Sequence, residues 1–258
     1  MFLFVLIFLS RLTRLILLPI LTVAILSGCA STPTHSAKLQ SIKISQTHDA
    51  VKPVPRHAKW MERHNSFNVN AAKGGWELLM IGDSITHAWE SHGKDVWAEY
   101  YADRKALNLG ISGDRTQHIL WRLDNGNVDG LDPKAAVIMI GTNNYRDNTA
   151  EEIAEGITAI VQKLNAKFPK MNILILGIFP RFAEPTHEKR IMLAKASALT
   201  SKLADGKRIH YLDIGDAFLT KDGVLTKKVM PDYLHPHTPG YKIWAEAMEP
   251  KIKEIMGE

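Results

Sequence analysis

The sequence predicts an α/β protein: a three-layer sandwich around a five-stranded parallel sheet, with flavodoxin-like strand order. Three observations carry this reading. Five short apolar runs, at 78–81, 106–109, 135–140, 173–178 and 209–214, are continuous rather than alternating, as strands covered on both faces require. Stretches of helical periodicity separate them. Gly, Asp, Ser and Asn gather just after the runs, at the strand ends where open α/β sheets bind ligands.

Composition fits one domain with an N-terminal appendage. At 258 residues and 45% hydrophobic content the chain buries a full core, which excludes multispan membrane, collagen-like and wholly disordered classes. The formal charge is +5, of which Arg11 and Arg14 supply two, leaving +3 on the rest. With basic and acidic residues interspersed, this is a solvated surface and no nucleic-acid partner is expected. Cys29 is the only cysteine, so the folded domain has no intrachain disulfide, cysteine-based zinc site or catalytic thiol.

Residues 1–25 are apolar apart from Arg11 and Arg14, and Leu26-Ser27-Gly28-Cys29 follows. The uninterrupted part, 15–25, has the length of a signal core and falls short of the ~20 residues of a spanning helix. Residues 1–28 resemble a bacterial lipoprotein signal peptide. The resemblance implies cleavage before Cys29, lipidation there and tethering to a membrane. Ala30 and Ser31 lack the aspartate that retains lipoproteins on the inner membrane, which favours the outer membrane, on its periplasmic or surface face. Ten uncharged residues precede Arg11, so an upstream start site or an uncleaved anchor stays open.

Residues 29–55 are polar and close on Pro53-Val54-Pro55, the composition of a flexible tether with solvated histidines. The domain, 56–258, begins with a short helix over 56–70 laid on its edge, with Trp60, Met61 and Phe67 as apolar points, and Lys73-Gly74-Gly75 turns into the first strand. Helical stripes follow at 114–123 and 149–168, the latter opening with a Thr149/Glu152 capping box. A third covers 188–203, and the last has Thr238 as N-cap and Pro239 in first position, with Pro250 interrupting it.

Candidate chemistry sits after the strands. Gly82-Asp83-Ser84 puts a serine on a strand-to-helix turn, where free N–H groups and the helix dipole favour negative charge; Asp83 is expected to hold that turn. The second run ends in Asn108-Leu109-Gly110-Ile111-Ser112-Gly113-Asp114, the third in Gly141-Thr142-Asn143-Asn144, and the fifth is followed by Pro231-Asp232-Tyr233-Leu234-His235-Pro236-His237. A hydroxyl, a backbone donor, an amide donor and an imidazole with a nearby carboxylate are the parts acyl transfer needs.

These four ordered blocks resemble the SGNH, or GDSL, hydrolase superfamily. The loop from Asn108 to Thr116, with Leu120-Trp121-Arg122-Leu123, is similar to the branch containing the catalytic subunits of platelet-activating factor acetylhydrolase IB. The resemblance implies the SGNH hydrolase fold, Ser84 as nucleophile, Asp232 and His235 completing the triad, and an oxyanion hole of Ser84, Gly110 and Asn143, with no metal or cofactor. Ile85 replaces the leucine of the older family name, and Asn144 stands where many members have aspartate; both are candidates for shaping the substrate pocket. No G-x-S-x-G elbow is present, which argues against an α/β-hydrolase.

His237 reads as a rim or capping residue rather than a metal ligand, because alternation on an extended loop points it away from His235. Ser112 is a fallback nucleophile without a strand directly before it. Arg115 is expected to pair with a nearby acid, and Trp121, Trp89, Trp97 and Trp244 to pack. Arg181 and Phe182 follow the fourth strand on the rim where substrate contact is open. The expected activity is hydrolysis of short acyl esters, acetyl above all, of carbohydrate or lipid at the cell envelope. The alternatives are a lysophospholipase or thioesterase acting on longer chains, or a non-catalytic glycan-binding module. Oligomeric state is not legible.

Overall fold

The computed structural model describes Leu39 and residues 42–258; the leader, Cys29 and most of 30–41 lie outside the described residues. Strands β1 (Leu78–Gly82), β2 (Ala106–Gly110), β3 (Ala135–Met139), β4 (Asn172–Leu176) and β5 (Ile209–Leu212) form one sheet in the order β2-β1-β3-β4-β5, with every pair parallel. This is the expected flavodoxin-like order. It places the switch in strand order between β1 and β3, the crevice where such sheets bind ligands.

Alternation within the strands splits the core in two. Leu79, Ile81, Leu107, Leu109, Ala136 and Ile138 face α1 (Ala58–Ala71), α4 (Thr116–Asp124), α5 (Ala150–Lys167) and α6 (Glu188–Thr200). Leu78, Met80, Ala106, Ala135, Val137 and Met139 face the other layer, with α2 (Ser84–His87), α3 (Lys94–Tyr100) and α7 (Thr238–Met256). Both faces are therefore covered, which is why the runs contain no polar alternation.

Helix ends follow their capping chemistry. Thr149 and Glu152 form the expected capping box at α5. At α7 the N-cap is His237, and Thr238 is the first helical residue, its hydroxyl donating to His92 O at 2.9 Å, so the expected start is corrected by one position. Pro250 does not interrupt this helix. Buried Tyr241, Trp244, Met248, Ile252 and Ile255 form one stripe that carries it to Met256, and Pro250 lies on the exposed side, where the backbone group it leaves unpaired is open to solvent.

Two N-terminal expectations change. The helix expected on the domain edge is part of the core: Trp60 is buried and its Nε1 donates to Asp114 Oδ1 at 2.6 Å. The C-terminal half of the tether lies along α5 as a strap. Ala50 and Val51 are buried, Ala50 O accepts from Thr116 Oγ1 at 2.7 Å, and His48, expected to be solvated, pairs with Glu155 at 2.9 Å. Ala50 and Val51, with Leu39, are the buried apolar residues of this stretch and contribute the burial that helps fix it.

Candidate active site

The nucleophile turn is closely packed. A Cβ on Gly82 would stand 2.0 Å from Thr86 Oγ1 and 2.6 Å from Met139 O, so only glycine lets α2 leave β1 this abruptly. Asp83 is buried and caps α2, its Oδ1 accepting from Ile85 N–H at 3.0 Å, the supporting role expected of it. Burial pushes its carboxyl up to about 7; the Ile85 bond opposes that rise and the Asp114 charge adds to it. As first residue of α2, Ser84 has an N–H with no acceptor inside the helix.

Ser84 Oγ lies 2.8 Å from His235 Nε2, and His235 Nδ1 lies 2.6 Å from Asp232 Oδ2. The other carboxylate oxygen, Oδ1, accepts from the N–H groups of Leu234 and His235 at 3.1 and 2.7 Å. Partial burial pushes the Asp232 carboxyl up, but the backbone and ring bonds from His235 outweigh it, and the net effect holds the group below the usual carboxylate range. The tight loop needs Tyr233 at φ +58°, and Phe182, at φ +65°, donates its N–H to Tyr233 O at 2.9 Å. Two aromatic residues in the left-handed region, tied to each other beside the Asp232–His235 pair, are local strain that the surrounding fold holds in place.

The oxyanion side differs from expectation at Gly110. It is the last residue of β2, its N–H is taken by Asn108 Oδ1 at 2.8 Å, and a Cβ there would meet His87 N at 2.2 Å. Gly110 lets α2 pack on β2 and is not an available donor. Asn143 Nδ2 donates to Asp114 O at 3.0 Å, which sets its amide beside the far end of the loop, next to Gly113 at φ +80°. Asn144 is fully buried: its Oδ1 accepts from Thr116 N–H, and its Nδ2 donates to Thr116 Oγ1, Gln117 Oε1 and Asn148 Oδ1. It clamps the loop from behind and does not shape a pocket.

Arg181 is buried rather than on the rim, its Nη1 donating to Thr142 O and Oγ1 at 3.1 and 3.3 Å. His237 is exposed and stacks on His92 at 4.1 Å between centroids. Ser112 Oγ pairs with His87 Nδ1 at 3.0 Å, away from the triad histidine. Arg115 pairs with Asp147, and Trp121 packs on Trp60 and His64, both as expected.

Sequence reasoning missed the residues beneath the loop. Asp114 is wholly buried, with Arg122 Nη2 at 2.9 Å and Trp60 Nε1 on its other oxygen, while Arg122 Nη1 donates to Leu109 O at 2.9 Å. Burial pushes the Asp114 carboxyl up, and the Arg122 charge is the main force opposing that. The eight-residue separation, placing both on one face of α4 and its approach, was the available signal.

Family comparisons agree with this geometry. A model described as the GDSL-like lipase/acylhydrolase family matches residues 80–243. The chain is 34% identical over 209 residues to platelet-activating factor acetylhydrolase IB subunit alpha2 of Rattus norvegicus, covering 81% of this chain and 90% of that protein. It is also 34% identical over 208 residues to subunit alpha1 of Homo sapiens, covering 81% and 89%. Among solved structures, Axe2, an acetylxylan esterase from Geobacillus stearothermophilus, shares the fold with a TM-score of 0.56 at 19% identity, covering 72% of this chain and 95% of that one. A strand-end serine on a parallel sheet, a family model spanning most of the domain and relatives matched over nearly their whole length converge: the chain belongs to the GDSL-like lipase/acylhydrolase family and is a carboxylic ester hydrolase.

Proposed function

We propose that Ser84, His235 and Asp232 are the catalytic triad of a serine esterase that removes short acyl groups, acetyl above all, from carbohydrate or lipid esters at the cell envelope. The observation that carries this is the unbroken chain from Ser84 Oγ through the His235 ring to Asp232. His235 Nε2 takes the hydroxyl proton as Oγ bonds to the ester carbonyl carbon, and Asp232 holds Nδ1–H and stabilises the imidazolium. As the tetrahedral intermediate collapses, the C–O bond to the alcohol breaks and His235 returns the proton to that oxygen. Water, deprotonated by the same ring, then releases the acid and restores Ser84.

The developing oxyanion faces the Ser84 N–H and the second amide hydrogen of Asn143; in place of Gly110 we assign the third donor to the Gly113 N–H. Support for that exchange is the Asn108 bond that occupies Gly110 and the Asn143 bond that reaches past it to Asp114. The acetyl group takes its support from the names of the relatives, and the envelope location from the lipoprotein-like leader ending at Cys29, with its lipid anchor in the outer membrane. A carbohydrate or a lipid alcohol is consistent with both.

Full-length protein in detergent, assayed on p-nitrophenyl acetate, butyrate, octanoate and palmitate beside Ser84→Ala, tests the proposal. The expected result is a maximum at acetate and a loss of at least about 10³-fold in the variant. A maximum at palmitate would replace the acetyl reading with a lipase-like one. Normal turnover in Ser84→Ala would remove the triad.

A further inference from the structure

Asn143 can stabilise an oxyanion only if the backbone that carries it is fixed, and Arg181 reaches that backbone from the loop after β4. It is 9% exposed, and its Nη1 bridges the carbonyl and hydroxyl oxygens of Thr142, the residue immediately before Asn143. The guanidinium sits over two aromatic rings, its centre 4.1 Å from the Tyr145 centroid and 4.8 Å from that of Phe182. Its Nε is buried with no partner, and among the described residues no carboxylate forms an ion pair with it. The acidic groups that act on it through space are the Tyr145 phenol beneath it, then Asp83, which precedes Ser84, and Asp232.

A buried cation without a contacting counter-ion is costly, and a fold built only for stability would pair or replace it. Here the guanidinium has no carboxylate in contact, beside the loop that carries Asn143. Resting on the esterase reading above, we propose that Arg181 is a positioning residue for the oxyanion hole: it locks the Thr142 peptide so that the Asn143 amide is held at the tetrahedral oxygen, and it keeps positive charge behind that oxygen. Arg181 does not touch substrate, so its effect falls on the transition state and not on ground-state binding.

The test uses the full-length protein with p-nitrophenyl acetate and a small alkyl boronate, whose serine adduct carries a tetrahedral negative centre. Arg181→Met keeps the length and apolar stem of the side chain and removes the clamp and charge. Expected are a fall in kcat of about 10²-fold, the usual scale for losing one oxyanion contact, a KM within about twofold, and boronate affinity weakened in step with kcat. Arg181→Lys, which keeps the charge but not the planar group seated over the Tyr145 and Phe182 rings, is expected in between. Retention of kcat within about threefold in Arg181→Met, or a loss confined to KM, overturns the proposal.

If Arg181→Met fails to fold, Arg181→Lys is read alone. A roughly tenfold loss of kcat at unchanged KM supports the assignment, and wild-type kcat or a KM effect overturns it. Wild-type turnover that survives Ser84→Ala would instead sink the esterase reading, so the two failures are distinguishable.

Discussion

The two halves of the site are built in opposite ways. The proposed acid–base half is local and wet: Asp232 and His235 are three residues apart, and their side chains are 55% and 34% exposed. The proposed oxyanion half is drawn from several elements and dry. It rests on Asp114, Arg122, Asn144 and Arg181, all buried, and it draws on α1, α4 and the loops after β2, β3 and β4. A proton relay tolerates water and benefits from a short rigid turn, whereas electrostatic stabilisation gains strength when water is excluded and the donors cannot reorient. The contrast therefore separates residues whose loss is kinetic from residues whose loss is also structural.

The sharpest way to break the comparison is Asp232→Asn. Loss of the triad carboxylate is expected to cut kcat by about 10⁴-fold while the melting temperature stays within a few degrees, because the pair is exposed and contributes little to folding. A large loss of thermal stability would show that the wet half is structural as well. Asp114→Ala should do the reverse. Leaving Arg122 buried without its partner is expected to destabilise the fold by about 3–5 kcal/mol, measured by urea denaturation. A variant with wild-type stability would mean that Arg122 finds another acceptor and that the dry half is not held by this pair.

The smallest effect concerns Asp83, where the halves meet. Its carboxyl titrates at about 7 in the fold and near 4 in an unfolded chain. Between those values the native state holds a proton that the unfolded state has lost, so stability falls as pH rises through the window and levels off above it. The slope from this one group is at most about 1.4 kcal/mol per pH unit, and Asp83→Asn should flatten it. An unchanged slope in that variant would assign the dependence to other groups.

Legibility in the sequence follows the same division. The strands could be read because burial on both faces leaves unbroken runs, and Asp232 with His235 because a local pair keeps its spacing in the chain. Most of the dry half was hidden, since Asn144 and Arg181 act across separations that only the folded sheet brings together. Gly110 was misread for a related reason: the loop offers Gly110 and Gly113, and choosing between them depends on where β2 ends and what Asn108 does with its amide oxygen. Local composition also misled at the strap, where polarity suggested solvent but Leu39, Ala50 and Val51 are buried and His48 pairs with Glu155. At Pro250, helix-breaking propensity yielded to a long apolar stripe.

The glycines that end β1 and β2 have a consequence for how such an enzyme could be re-specialised. With Gly82 against Thr86 and Met139, and Gly110 against the His87 backbone, neither position admits even a methyl group, so the seat of the nucleophile is closed to gradual change. New substrates would have to be won at the loops after β4 and β5, whose exposed residues can vary while the chassis stays constant.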